Sequence, residues 1–181
     1  ILLERAQTKQ QKVALKKSKN RFCIPSRLSR CGFQFWPVYT DSSEYFFEMN
    51  FAFYTDGGSR GNPGPAAWGF VLYQDGQKIA GQGGYLGITT NNVAEYTACI
   101  EALRYIKSQW GAGHQIKCFA DSKLMIEQLK GNYKIKAPHL KPLIAEMHSL
   151  SKDQTIAYQH IPREKNTEAD RLVNITLDQH R

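Results

Sequence analysis

Four acidic residues of this 181-residue chain stand out by position. Asp56 and Asp121 each follow a short apolar run, Glu95 lies one turn into a long periodic segment, and Asp170 lies near the start of the last one. If the runs are strands and the segments helices, all four share one edge of an open α/β sheet, where strand ends and helix starts gather and ligands bind. Four carboxylates placed there repel one another unless cations neutralise them, and oxygen donors suit the hard divalent ions Mg²⁺ and Mn²⁺. Glu95 sharpens the point: its neighbours on the same helical face are Ala98, Cys99 and Ala102, all small and weakly polar. A carboxylate buried on such a face needs a partner to offset its desolvation. Taken singly, Asp56 and Asp121 read as turn residues, and Glu95 and Asp170 as helix-start acids favoured by the dipole. Taken jointly, with the residues around them, that reading weakens. No Ser/His or Cys/His arrangement offers a protein nucleophile. Cys23, Cys31, Cys99 and Cys118 have no C-x-x-C spacing, and His114 near Cys118 matches no zinc spacing, so buried or free thiols are expected.

The elements that must position these acids are legible from periodicity and turn chemistry. Phe51 to Thr55 reads as a strand ending in the sharp turn Asp56-Gly57-Gly58, and Ser59 to Pro65 as a loop of turn formers. Ala67 to Tyr73 and Lys78 to Leu86 read as strands joined by a hairpin turn over Gln74-Asp-Gly-Gln77; Gly81, Gly83, Gly84 and Gly87 dilute the second of them. Thr90, Asn91 and Asn92 offer caps for a helix to about Trp110, with Val93, Tyr96, Ile100, Leu103 and Lys107 on one stripe and Gly111-Ala-Gly113 as its stop. A strand over Gln115 to Ala120, helices over Ser122 to Lys130 and His139 to Leu150, a strand over Thr155 to His160 and a helix from Thr167 to about Gln179 complete the pattern. The order β-β-β-α-β-α-α-β-α predicts an α/β domain with a five-stranded mixed sheet. An antiparallel meander is continued by crossover-linked parallel strands, with helices packed on both faces.

Composition narrows the classes. With 41% hydrophobic and 12% aromatic residues the chain can build a core, which excludes wholesale disorder and a fibrous fold. No stretch approaches the roughly 18 consecutive apolar residues of a membrane-spanning helix, so no membrane partner is expected. Lys+Arg outnumber Asp+Glu by 24 to 16, a net +8 that points to a polyanionic partner. The excess is uneven: residues 1–48 hold nine Lys/Arg and four Asp/Glu, and all nine bases fall between Arg5 and Arg30. A break near Met49 therefore separates a basic N-terminal extension, 1–48, from a nearly balanced domain, 49–181. The extension is expected to be disordered over most of 1–30, and Cys31 to Phe47 is aromatic-rich without clean period. It reads as a tail gripping nucleic acid, an organelle-targeting presequence, or a remnant of a larger protein or of spurious upstream translation. Without targeting, a cytoplasmic location is expected. The opening Ile1 fits a fragment, a processed chain or an unusual start.

Four blocks in order carry a family resemblance. Tyr54-Thr-Asp-Gly-Gly-Ser59 with Gly61-Asn-Pro-Gly64, Thr89-Thr-Asn-Asn-x-x-Glu95-Tyr96, Ala120-Asp-Ser122 and Asn166-x-x-Ala-Asp170 resemble the motifs of type 1 ribonuclease H, over about residues 51–180. The resemblance implies the ribonuclease H-like fold and a monomeric endoribonuclease that hydrolyses the RNA strand of RNA–DNA hybrids, leaving 5′-phosphate and 3′-hydroxyl ends. It implies that Asp56, Glu95, Asp121 and Asp170 hold two Mg²⁺ ions, with Mn²⁺ as a substitute. One ion would activate the attacking water and the other would stabilise the leaving 3′ oxygen.

Around the acids, Gly57, Gly58, Gly61 and Gly64 would let backbone amides approach a strand, with Ser59 in the same loop. Asn62, Asn91 and Asn92 suit the 2′-hydroxyl and minor-groove edges that mark RNA, and serve equally as caps and turn residues. The resemblance adds a DNA-phosphate role for Thr90 and Asn62. Family members often carry a basic residue before the last acid that assists proton transfer and product release; Arg163 is preferred for it here, with His160 as the alternative. Two departures stand out. Lys123 replaces a common glutamine, exchanging a base-edge contact for a phosphate contact. The 48 residues between Asp121 and Asp170 also leave no room for the basic helical protrusion of some relatives. Lys130 to Lys136, with Lys141, is the remaining basic cluster, a phosphate contact or a solvated surface. The rival readings are a ribonuclease H domain cut from a reverse transcriptase, and a non-catalytic hybrid-binding module.

Overall fold

Buried Phe51, Phe53 and Thr55 alternate with the less buried Ala52 and Tyr54, the period of a strand with one face on a core. The computed structural model describes residues 49–180. The basic extension, the run from Cys31 to Phe47, Cys23 and Cys31 lie outside the described residues. Five strands form one sheet: β1 (Asn50–Ser59), β2 (Gly64–Gln74), β3 (Gln77–Thr89), β4 (Gln115–Ala120) and β5 (Thr155–His160). Their order is β3-β2-β1-β4-β5, with β1, β2 and β3 antiparallel and β1, β4 and β5 parallel. The helices are α1 (Asn91–Trp110), α2 (Lys123–Leu129), α3 (Lys141–Ser151) and α4 (Thr167–Gln179). Short 3₁₀ turns cover Pro138–Leu140 and Arg163–Lys165. The expected α/β architecture and element order are present, with α1 on one face of the sheet and α4 on the other.

The main core lies between the sheet and α1, where Phe51, Phe53, Phe70 and Leu72 meet Tyr96, Ile100, Leu103 and Ile106; Met147 of α3 closes it. Burial of such side chains contributes about 1.5–3 kcal/mol each. The other face holds a small cluster of Ala67, Val173 and Leu177. Among the described residues no helix is long and apolar enough to cross a membrane.

Three local expectations change. Asp56-Gly57-Gly58 is not a turn: β1 runs through it to Ser59, pairing Gly57 with Trp68 and Gly58 with Ala67. The glycines serve packing. A Cβ on Gly57 would lie 2.1 Å from the Glu95 amide nitrogen, and one on Gly58 would lie 2.8 Å from a Val173 methyl. Adjacent residues thus admit a helix from each face. β3 reaches from Gln77 to Thr89 despite its glycines, because Gly83 lets α4 lie against it. Lys107 is exposed, and Ile106 takes its place in the buried stripe of α1.

Candidate active site

The parallel registers end together, Thr55 opposite Ala120 and Ala120 opposite His160. Asp56 and Asp121 are the next residues on their chains, Asp56 still paired to β2 within β1 and Asp121 just past the end of β4, so both lie at the same level. Glu95 comes to them from above: Thr90 caps α1 by accepting from the Val93 amide, and the bare Cα of Gly57 lets the first turn of that helix press onto β1. Ligand oxygens of Asp56, Glu95 and Asp121 consequently lie within 4.8 Å of one another.

The electrostatic cost is visible in the acids themselves. Asp56 is pushed up to about 6, first by burial and then by Asp121 and Asp170, while Arg163 and the Gly57 amide act the other way. Burial holds Glu95 well above the ordinary carboxylate range, and Asp56 and Asp121 add to this. Asn91 donates to Glu95 Oε1 at 3.3 Å. Glu95 Oε2 is buried with no hydrogen-bond partner. A buried carboxylate with one unpaired oxygen, in a trio of acids whose ligand oxygens converge, is what a hard cation would satisfy, so the donor set fits Mg²⁺ or Mn²⁺.

Asp170 stands apart. Arg163 Nη2 donates to its Oδ1 at 2.8 Å and Asn174 Nδ2 to its Oδ2 at 2.9 Å. It is near enough to raise Asp56 but lies outside the triad of converging oxygens. Its side chain is 28% exposed and that of Arg163 76%. His160 ends β5, exposed, as the strand residue its position suggested.

Several rim residues have structural duties. Ser59 Oγ donates to carbonyls of the loop and of β3, at Gly61 and Thr89. Asn62 Oδ1 accepts from the Asn91 amide at 3.3 Å, tying the Ser59–Pro65 loop to the start of α1. At Gly57 and Gly58 an added Cβ would meet α1 and α4, so helix packing by itself requires glycine at both positions. Asn92 and Lys123 are exposed at the starts of α1 and α2. Two side chains were missed. Asn174 holds Asp170 from one turn on, a contact readable as an i,i+4 pair once Asp170 is singled out. Asn166 Nδ2 donates to Thr55 O at 2.9 Å and to Asp121 Oδ1 at 3.1 Å. Standing before a helix, it reads in sequence as a cap.

The RNase H family model matches residues 48–177. The chain belongs to the RNase H family. A bifunctional protein of Mycobacterium tuberculosis, Rv2228c, is 41% identical over 126 residues, which are 68% of this chain and 34% of that protein. The chain thus spans about a third of the length of this mycobacterial relative. Ribonuclease HI of Halobacterium salinarum is 40% identical over 127 residues, 69% of this chain and 63% of its own. Among solved structures, LC11-RNase H1 in complex with an RNA/DNA hybrid superposes with a TM-score of 0.68 at 40% identity, covering 72% of this chain and 98% of its own. The match includes the blocks that carry all four acids, so the family assignment and the site's geometry rest on the same residues.

Proposed function

We propose that the protein is an endoribonuclease that hydrolyses the RNA strand of RNA–DNA hybrids and leaves 5′-phosphate and 3′-hydroxyl ends. The observation that carries this reading is the convergence of Asp56, Glu95 and Asp121, with one buried Glu95 oxygen left without a partner, in a chain of the RNase H family. The hybrid bound to the related LC11 enzyme supports the substrate class. Asp56, Glu95 and Asp121, joined by Asp170, would hold two Mg²⁺ ions, with Mn²⁺ as a substitute. Such ions supply an activated water and charge stabilisation at the leaving oxygen.

The chain's own residues do the rest. Gly57 and Asn91 fix Glu95 against Asp56, so the acid wall is set before substrate arrives. Arg163 neutralises Asp170 and, being exposed, is free to exchange that carboxylate for a phosphate or a proton-transfer role, ahead of His160. Thr90, Asn91, Asn92 and Asn62, with the Gly57-Gly58-Ser59 strand end, form the rim toward the sugar edges, and Lys123 reaches for a phosphate. The protein acts as a monomer. Labelled RNA–DNA hybrid, duplex RNA and single strands, each with Mg²⁺ or EDTA, provide the test. The expected result is cleavage of the hybrid's RNA only, lost in EDTA and in Asp56→Asn. Hybrid binding without cleavage would sink the reading.

A further inference from the structure

Asn166 precedes α4 at the position where asparagine ordinarily caps a helix by accepting from its second or third amide. Its side chain makes no capping bond. It turns inward instead, 1% exposed, and Nδ2 donates to both Thr55 O and Asp121 Oδ1. Both neighbours are pure acceptors, so the amide has one orientation that satisfies them. Its own Oδ1 is then buried without a partner. A forgone cap and an unsatisfied buried oxygen both cost stability, so the position is not explained by helix formation. The Asn166 carbonyl also accepts from the Asp170 amide at 3.1 Å. One residue thereby joins Thr55 of β1 beside Asp56, Asp121 after β4 and the first turn of α4, three of the four places where the acids sit.

We infer that Asn166 is a positioning residue for the acid cluster. Its amide commits one oxygen of Asp121 and fixes that rotamer, leaving the other oxygen free of this bond. The choice of a neutral donor matters. A lysine or arginine there would hold Asp121 equally well but would place a fixed positive charge where a cation must enter, whereas the amide orients the carboxylate and leaves its charge available. Arg163 shows the contrast, pairing with the more exposed Asp170 at the rim. This role rests on the metal-dependent reading of the site.

The test uses the full chain as wild type, Asn166→Ala, Asn166→Ser and Leu177→Ala, the last a core change in the small cluster behind the site. Mg²⁺ binding is followed by calorimetry, hybrid cleavage as a function of Mg²⁺, and unfolding in EDTA. In both Asn166 variants the Mg²⁺ midpoint should rise about 10- to 100-fold, with KM for hybrid at saturating Mg²⁺ changing less than about threefold. The serine hydroxyl is a donor too short for both acceptors, so Asn166→Ser carries the test if Asn166→Ala is unfolded. Leu177→Ala should melt earlier with its midpoint unmoved. An unmoved midpoint in the Asn166 variants, an equal shift in Leu177→Ala, or unfolding of both Asn166 variants at saturating Mg²⁺ would overturn the positioning role. A wild type that binds no Mg²⁺ would overturn the proposed function with it, whereas a wild type that binds and cleaves isolates the failure to Asn166.

Discussion

The two walls of the acid cluster are built on opposite principles. Glu95, on the α1 wall, is 8% exposed, held by the close approach of a helix to a glycine, and has one oxygen with no partner. Asp170, on the α4 wall, is half-buried and has partners on both oxygens in Arg163 and Asn174. The first wall stores unfavourable electrostatics that hydrogen bonds from Asn91 and Ser122 offset only in part and that an external cation would relieve. The second is already neutralised by the protein. Rigid burial thus lies where charge is unpaired, and exchangeable ion pairing where the site is more open, so removing a charge should stabilise the metal-free fold at the first wall and leave it nearly unchanged at the second.

The largest expected effect is on activity. Glu95→Gln and Asp56→Asn should each lower hybrid cleavage by about 10³-fold or more, since each removes a cation ligand. In EDTA at pH 7 the same changes should stabilise the fold by about 1–3 kcal/mol, by relieving repulsion and desolvation. Asp170→Asn should also impair cleavage but leave metal-free stability within about 0.5 kcal/mol, because an exposed ion pair contributes little. Equal stabilisation at both walls, read by thermal unfolding, would erase the distinction. Gly57→Ala strikes the geometry of the first wall. A Cβ 2.1 Å from backbone nitrogen cannot be accommodated by side-chain movement, and a loss of about 3 kcal/mol or more is expected in denaturant titration.

The pH dependence follows from Asp56. Its folded value near 6 lies above the ordinary 3.8, so the folded state binds the proton more tightly. The stabilising contribution is complete below pH 4 and is lost as pH rises through about 6, a fall of about 2–3 kcal/mol in metal-free protein. Asp56→Asn should lack this part of the decline, and Mg²⁺ should stabilise the wild type more at pH 7 than at pH 4. Parallel melting curves for the two proteins from pH 4 to 7 would refute the assignment. The smallest effects belong to the open wall: Arg163→Ala should lower kcat roughly 10- to 100-fold and move stability by less than about 0.5 kcal/mol. A larger kcat loss in His160→Ala would transfer the assisting role to that residue.

Much of this was legible because its causes are local. Alternation in Phe51 to Thr55, the Asp75-Gly76 turn with φ of 48° and 79° and the Thr90 cap each depend on a few neighbouring residues. Ala98, Cys99 and Ala102 correctly mark a buried face for Glu95. Asp56-Gly57-Gly58 was misread as a turn because glycine pairs signal turns locally, whereas here their missing side chains are filled by helices from distant segments. The inward role of Asn166 was not legible for the same reason: its acceptors lie 111 and 45 residues away.

The sequence by itself determined the elements, the family motifs and the four acids, since spacing and residue type act over a turn or a strand. Tertiary structure alone decided which carboxylate oxygens converge, that Glu95 has an orphaned oxygen while Asp170 is paired, and that Asn166 faces inward. These depend on how closely α1 and α4 approach the sheet, a distance set by packing between segments far apart in the chain.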